Sequence, residues 1–218
     1  TAPSIIVERV DYEYPAYTGD TPRTVKGLGD VRAIEGTRIT IHARANGPID
    51  QAHVDFDANG RRDARMAADG TMARATFELR LREDRVTPRH ASYVLRFTNR
   101  DGRENRNPVK YAIQVDPDVA PEARIVAPEE KELQVRLDET VAIEVDAIDP
   151  DYGLADVRLH GQAHGREVLN QLLLSGKHTG RFTVRYQFTP SAHDLRAGDV
   201  MEYWVGASDV RTPQPNTT

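Results

Sequence analysis

Asp55, Asp57, Asn59 and Asp63 stand at the first, third, fifth and ninth positions of a run with Gly60 at its sixth. Calcium loops take oxygens from those positions and turn sharply at a glycine in the sixth. Their twelfth position is a bidentate glutamate; here it is Met66, and no helical pattern flanks the run. Asn59-Gly60 between two alternating stretches is instead the signal of a tight hairpin, with positive φ at both residues. A hairpin is therefore the expectation. A second acidic set comprises Asp149 and Asp151 in one loop and Asp209 in another, with Asp116 and Asp118 in a linker. Converging carboxylates can hold calcium at a junction between domains. Aspartates also close turns through bonds to their own backbone, and that is the preferred reading. Whether Asp149, Asp151 and Asp209 bind calcium is a matter for titration.

The remaining residue types narrow the chemistry further. There is no cysteine, which removes thiolate metal sites, disulfides and cysteine nucleophiles. His160 and His164 have the i,i+4 spacing of a helical zinc pair. They lie in a strand-and-turn stretch beside Gly161 and Gly165, so no zinc site is assigned. No Gly-x-Ser-x-Gly elbow, ordered Ser/His/Asp set or phosphate-binding glycine loop occurs. The sequence points to no catalytic residue, cofactor-binding residue or metal ligand, implies no cofactor, and is not read as an enzyme. Arginine outnumbers lysine 25 to 4. Guanidinium forks pair with carboxylates, so Arg80 and Arg82 are expected to form a cross-strand ladder with acidic neighbours. Trp204 is the single tryptophan. With Tyr203 and Val205 facing a core it faces outward, packed against a neighbouring unit or strand rather than serving alone as a sugar platform.

The elements that carry these residues are strands. Ile39, Ile41 and Ala43 alternate with polar residues, as do Phe77, Leu79 and Leu81, then Tyr93, Leu95 and Phe97, then Val109, Tyr111, Ile113 and Val115. The pattern returns at Val141, Ile143 and Val145, at Val157 and Leu159, at Phe182, Val184, Tyr186 and Phe188, and at Met201, Tyr203, Val205 and Ala207. A period of two puts alternate side chains on opposite faces, one for a core. Residues 166–175 fit neither helical nor strand period cleanly and are read as a strand at a sheet edge. Residues 191–196 are read as one helical turn with Ser191 as its N-cap after Pro190. Many short alternating strands separated by turns predict an all-β chain of immunoglobulin-like, fibronectin-type-like β-sandwiches.

Residues 116–121, with Pro117 and Pro121, form the best boundary. They divide the chain into tandem units, 1–117 and 118–218, each about the size of one sandwich. The charge balance also changes there, from 19 basic and 17 acidic residues before it to 10 and 17 after it. Tyr93 and Tyr203 both open a strand that meets Asn99 or Asp209 six positions later, a faint internal repeat. Tyr203, after the approach 195–202, has the place of a tyrosine corner whose hydroxyl ties back to upstream backbone; the plainer and preferred reading is a buried tyrosine that simply opens the strand. The strand Pro108–Val115 that closes the first unit has no counterpart after Thr218, so the second unit is expected to be cut before its last strand. Such an open edge invites self-association. The net charge of −5 and the lack of an 18-residue apolar run speak against nucleic acid and direct membrane contact as partners.

Tyr14-Pro15-Ala16-Tyr17-Thr18-Gly19, followed by Pro22 and the stretch 29–37, resembles the Tyr-Pro-x-Tyr-Thr-Gly box of a family of large, membrane-anchored bacterial proteins of unknown function. Asp149 to Leu154 is similar to that family's Asp-Asp-Tyr-Gly-Leu phrase, with Pro150 set between the aspartates. Ala207-Ser208-Asp209, with Pro213, Pro215 and Asn216, is similar to its Ala-x-Asp-Asn-x-x-Pro-x-Pro-Asn phrase, with Val210 where the family has asparagine. The resemblance implies immunoglobulin-like domains of a longer extracytoplasmic protein, periplasmic or on the cell surface, with no assigned catalysis. In the box itself, Pro15 should stop a strand and Gly19 permit positive φ, as the first strand crosses from one sheet to the other. The resulting expectation is a non-catalytic structural or interaction segment, its partners being proteins or neighbouring domains of its own chain. The alternative is a carbohydrate-binding or accessory module of a larger enzyme.

Overall fold

A computed structural model describes residues 2–218 and contains strands with two short 3-10 turns. It divides into two compact units, one ending at Asp118 and the other spanning Val119–Thr218. The boundary thus falls inside the proline-bearing linker, one residue beyond the position read from the sequence.

In the first unit the strands are β1 (Ile5–Glu13), β2 (Arg23–Lys26), β3 (Val31–Ile34), β4 (Arg38–Ala45), β5 (Ile49–Phe56), β6 (Ala64–Arg65), β7 (Ala67–Asp69), β8 (Met72–Glu78), β9 (Ser92–Asn99) and β10 (Lys110–Asp116). They form two five-stranded sheets, in the orders β2-β1-β4-β8-β7 and β3-β10-β9-β5-β6. Every pairing is antiparallel except that of β3 with β10. One core gathers the inward residues of both sheets, among them Val10, Ile39 and Ile41 from the first and Val54, Tyr93 and Leu95 from the second. The alternation seen in the sequence is the alternation of burial along β4, where Ile39, Ile41, Ala43 and Ala45 are buried and Arg38, Thr40, His42 and Arg44 are not.

The Tyr14–Gly19 box does its local work as expected and its topological work differently. Ala16–Thr18 form a 3-10 turn after Pro15, closed by Gly19 at φ 76°. The Thr18 hydroxyl donates to the Pro15 carbonyl at 2.9 Å. The turn sends β2 back onto β1, Val10 opposite Val25, in the same sheet. The passage to the other sheet comes later, between β2 and β3. There the buried Tyr93 hydroxyl donates to the Gly29 carbonyl at 2.5 Å, and a Cβ on Gly29 would lie 2.3 Å from the Tyr111 ring. Only glycine lets the backbone pass this close to an aromatic ring.

The strands of the second unit are β11 (Glu122–Ala127), β12 (Val141–Ala163), β13 (Arg166–Phe188) and β14 (Met201–Asp209). They belong to a single hydrogen-bonded sheet, β11-β12-β13, with β14 also on β12. The separate short strands expected over 141–159 and 166–188 are two continuous strands of 23 residues each. Drawn straight, such a strand would run about 75 Å, far beyond one domain core. Yet one core takes in Ile143 and Val145 together with Leu154, Val157 and Leu159. The sheet therefore folds over between the two halves of β12. Register shifts mark the place, between Asp149 and Leu154 and between Leu154 and Asp156, where extra residues bend a strand. On one side of the fold β12 pairs with β11 and the end of β13; on the other it pairs with the start of β13 and with β14.

Two local features differ from the sequence expectation. The turn at 190–193 is a 3-10 turn with Thr189 in the N-cap position and Pro190 at its start, so Ser191 lies inside it. Proline preceding Ser191 already has the φ that the first turn position requires. Arg80 bonds Glu78, two residues back on the same face, at 3.3 Å, and not a residue across the sheet. Cross-strand Arg–carboxylate pairs form elsewhere, at Arg32–Asp116, Arg44–Glu8 and Arg185–Glu144.

Candidate functional site

The fold in β12 carries the acidic group Asp149-Pro150-Asp151. Asp149 is only 5% exposed. Its Oδ2 accepts the Tyr152 N–H at 3.1 Å and also the Gly153 N–H. Its Oδ1 is buried with no hydrogen-bond donor. Asp151 accepts the Val119 N–H at 2.9 Å and its carboxylate lies within bonding reach of Asp149. Burial, and then the negative charge of Asp151, push the Asp149 carboxyl up to about 6, against the two amides that favour its ionised form. Gly153 holds φ +112°, and a Cβ there would meet the His178 carbonyl oxygen at 2.8 Å. The corner is thus a carboxylate held by backbone amides on one oxygen and pressed against a second carboxylate.

Asp209 comes to the same region, because the Val210 N–H donates to the Gly153 carbonyl at 3.1 Å. Both of its oxygens are committed to its own loop. Oδ1 accepts the N–H groups of Arg211 and Asn216 and Oδ2 the Asn216 amide. Asp116, in the first unit, pairs with Arg32. Among the described residues no group of three or more acidic or imidazole side chains is arranged to hold a metal ion. Below the raised value of its carboxyl, a proton on Asp149 meets the need of the orphan oxygen. Millimolar calcium is accordingly expected to leave the melting temperature of the protein unchanged; a rise of several degrees would show a cation in place of that proton.

The Asp55–Asp63 run is a hairpin connection, but not the two-residue turn expected. β5 pairs with β6 with Val54 opposite Ala64, leaving a long loop between them. Positive φ falls on Asp57, Ala58 and Gly60, not on Asn59. The loop is organised around Asp55, which is fully buried and accepts the N–H groups of Asn59 and Gly60 and the Arg96 guanidinium at 2.7 Å. Asp63 accepts the Phe56 N–H and Asp57 the Ala91 N–H. The oxygens that suggested calcium are occupied in closing the loop.

His160 and His164 are not a pair. His164 sits at the β12–β13 turn with φ 49° and bonds Asp199 at 2.8 Å, while His160 lies within β12 beside Trp204 on β14. Tyr203 and Val205 pack on the core and Trp204 is 46% exposed, as alternation required. The sequence does not flag a polar cluster on the first unit: His42 Nε2 lies 2.7 Å from Asp11 Oδ2, beside Arg9. Thr24 donates its hydroxyl to Asp11, not to the imidazole, so the nucleophile–base–carboxylate order of a hydrolase is not formed there.

No helix among the described residues is long and apolar enough to cross a membrane. No family model and no curated protein matches the chain. Among solved structures, the chain is similar to the human OSCAR ligand-binding domain, at 9% identity over 100% of this chain and 94% of that one, with a TM-score of 0.33.

Proposed function

We propose that this chain is a non-catalytic structural and interaction segment of a larger, membrane-anchored extracytoplasmic bacterial protein, made of two tandem immunoglobulin-like sandwiches. The strand order of the first unit carries this reading. With β2, β3 and β6 set aside and β1, β4, β5, β7, β8, β9 and β10 taken as strands A to G, the orders β1-β4-β8-β7 and β5-β9-β10 match the ABED and CFG sheets of the constant-type immunoglobulin fold, which supports the reading. In the second unit, the folded sheet supplies two leaves around one core, β11 with the first half of β12 and the end of β13, and β14 with the other halves. Two further observations support the reading. Asp55, Asp57, Asp63 and Asp209 spend their oxygens on loop backbone. The Tyr14–Gly19 box and the Asp149–Leu154 phrase resemble those of an anchored bacterial family.

Cell fractionation and an activity screen test this together. The native protein is expected in the envelope fraction, and the purified chain is expected to leave ester, phosphoester, glycoside and peptide substrates unturned. Recovery in the cytosol, or turnover that survives repurification, would overturn it.

A further inference from the structure

The outward face of β12, β13 and β14 has an aromatic centre. Cross-strand register sets His160 between Trp204 on one side and Asn170 on the other. The His160 and Trp204 rings lie nearly parallel, 13° apart, with centroids 5.4 Å from each other. Burial alternates along these strands, so Arg158, His160 and Gln162 share the outward face with Trp204. Gly206, two positions from Trp204, adds no side chain to that face.

Planar polar groups run beside the rings in a bonded row. Arg158 donates to Asn170 Oδ1 at 2.8 Å, Asn170 donates to Glu167 Oε2 at 3.0 Å, and Glu167 Oε1 lies 3.3 Å from His160 Nδ1. The Asn170 bond and then the imidazole hold the Glu167 carboxyl below its usual range. A row fixed by its own bonds on a paired sheet loses little freedom when a ligand arrives.

We propose that this face binds the neutral pyranose units of a polysaccharide, a pyranose ring stacking on Trp204 and its hydroxyls meeting Arg158, Asn170 and Glu167. This rests on the reading of the chain as an interaction segment and names its partner. A pyranose offers an apolar C–H face and an equatorial rim of hydroxyls that both donate and accept. An indole beside guanidinium, amide and carboxylate groups matches both features. The acidic groups Glu167 and Glu202 on the same face disfavour polyanions. A stable protein interface calls for an apolar centre ringed by polar residues, and among the described residues the large exposed apolar side chains besides Trp204 are Leu172, in register with Arg158, and Val200, just before β14, which flank Trp204 rather than gather round it.

Because Trp204 is the only tryptophan, its fluorescence reports this face alone. The intact chain is titrated with cello-, malto- and chito-oligosaccharides of six units. A saturable change in emission is expected with at least one of them, at a dissociation constant of about 1 mM or tighter. Asn170→Ala and Glu167→Ala should each weaken it at least about fivefold. Trp204→Ala, followed by calorimetry, should abolish it, while Arg185→Ala, beyond the fold of the sheet, should leave it unchanged. No saturable response from a chain with intact β-structure, or a response that survives Trp204→Ala, overturns the proposal. A tryptophan shift that instead follows protein concentration, with a dimer's mass, would also overturn it in favour of a contact between copies. That outcome leaves the structural and interaction reading standing, whereas turnover of the oligosaccharide would sink that reading too.

Discussion

Replacing Asp55 with alanine is expected to cost the first unit about 3–5 kcal/mol, the range for removing one member of a buried ion pair. The whole margin of a domain is only about 5–15 kcal/mol. Asp55 is fully buried, and its carboxylate does three jobs at once. It accepts the Asn59 and Gly60 N–H groups at 2.9 and 3.1 Å and the Arg96 Nε at 2.7 Å. Alanine strands two amides and a guanidinium that is one-third exposed, and unties the loop that joins β5 to β6. Asp55→Asn keeps the size and one acceptor but sets an amide N–H₂ against donors, so it should fall between wild type and alanine. Denaturant unfolding reads both variants, with the slope against denaturant preserved. A loss below about 1 kcal/mol for Asp55→Ala would mean that the loop is not organised by this carboxylate.

The second unit should become more stable as pH falls from 7 towards 4, opposite to the usual behaviour of a salt-bridged acid. Asp149 is held at about 6 in the fold, mainly by burial, above the value near 3.9 of an unfolded chain. A group raised on folding contributes stability that is fully present below the unfolded value and lost as pH rises through the folded one. The window is therefore roughly pH 4 to 7. Below it, Glu167 and Asp199, both held low by hydrogen bonds, begin to protonate at a cost and reverse the trend. Other ionisable groups on the neighbouring elements are Glu122 on β11, His178 and Arg181 on β13, and Asp209 and Arg211 at the end of β14. The variant Asp149→Asn, which removes only this carboxyl, is the decisive control. The amide oxygen can keep the Tyr152 and Gly153 bonds while its N–H₂ donates to Asp151. Relief of a buried oxygen without a donor is worth about 1–3 kcal/mol, about 4–8 °C per kcal/mol for a unit of this size. Asp149→Asn should melt higher than wild type at pH 7.5 and lose the slope between pH 4 and 7. An unchanged slope would show that Asp149 does not set it.

Much of the architecture was legible because strand periodicity is local. The alternation at Ile39–Ala43 and Tyr93–Phe97 reports which face is buried whatever the partner strand. The same logic turned Trp204 outward from Tyr203 and Val205, and the prolines at 117 and 121 marked the division of the chain. Loop chemistry was legible only as residue type. Asp55, Asp57 and Asp63 were visible as oxygens, but that they close a loop against Arg96, 41 residues away, depends on β5 lying beside β9. The continuity of β12 through Pro150 and Gly153 was hidden by the very residues that suggested a break, since a bend and a break share the same prolines and glycines. His160 has helical spacing to His164, but its true neighbour is Trp204, 44 positions on. The sequence by itself determined strand content, the inward and outward faces, and the place where the chain divides, because each is set by neighbours one or two residues away. Only the tertiary structure decided which carboxylates are satisfied and which, like Asp149, are not, and which rings meet on the outer face. Pairing register brings distant residues together, and desolvation acts on a charge only once the fold has removed its water.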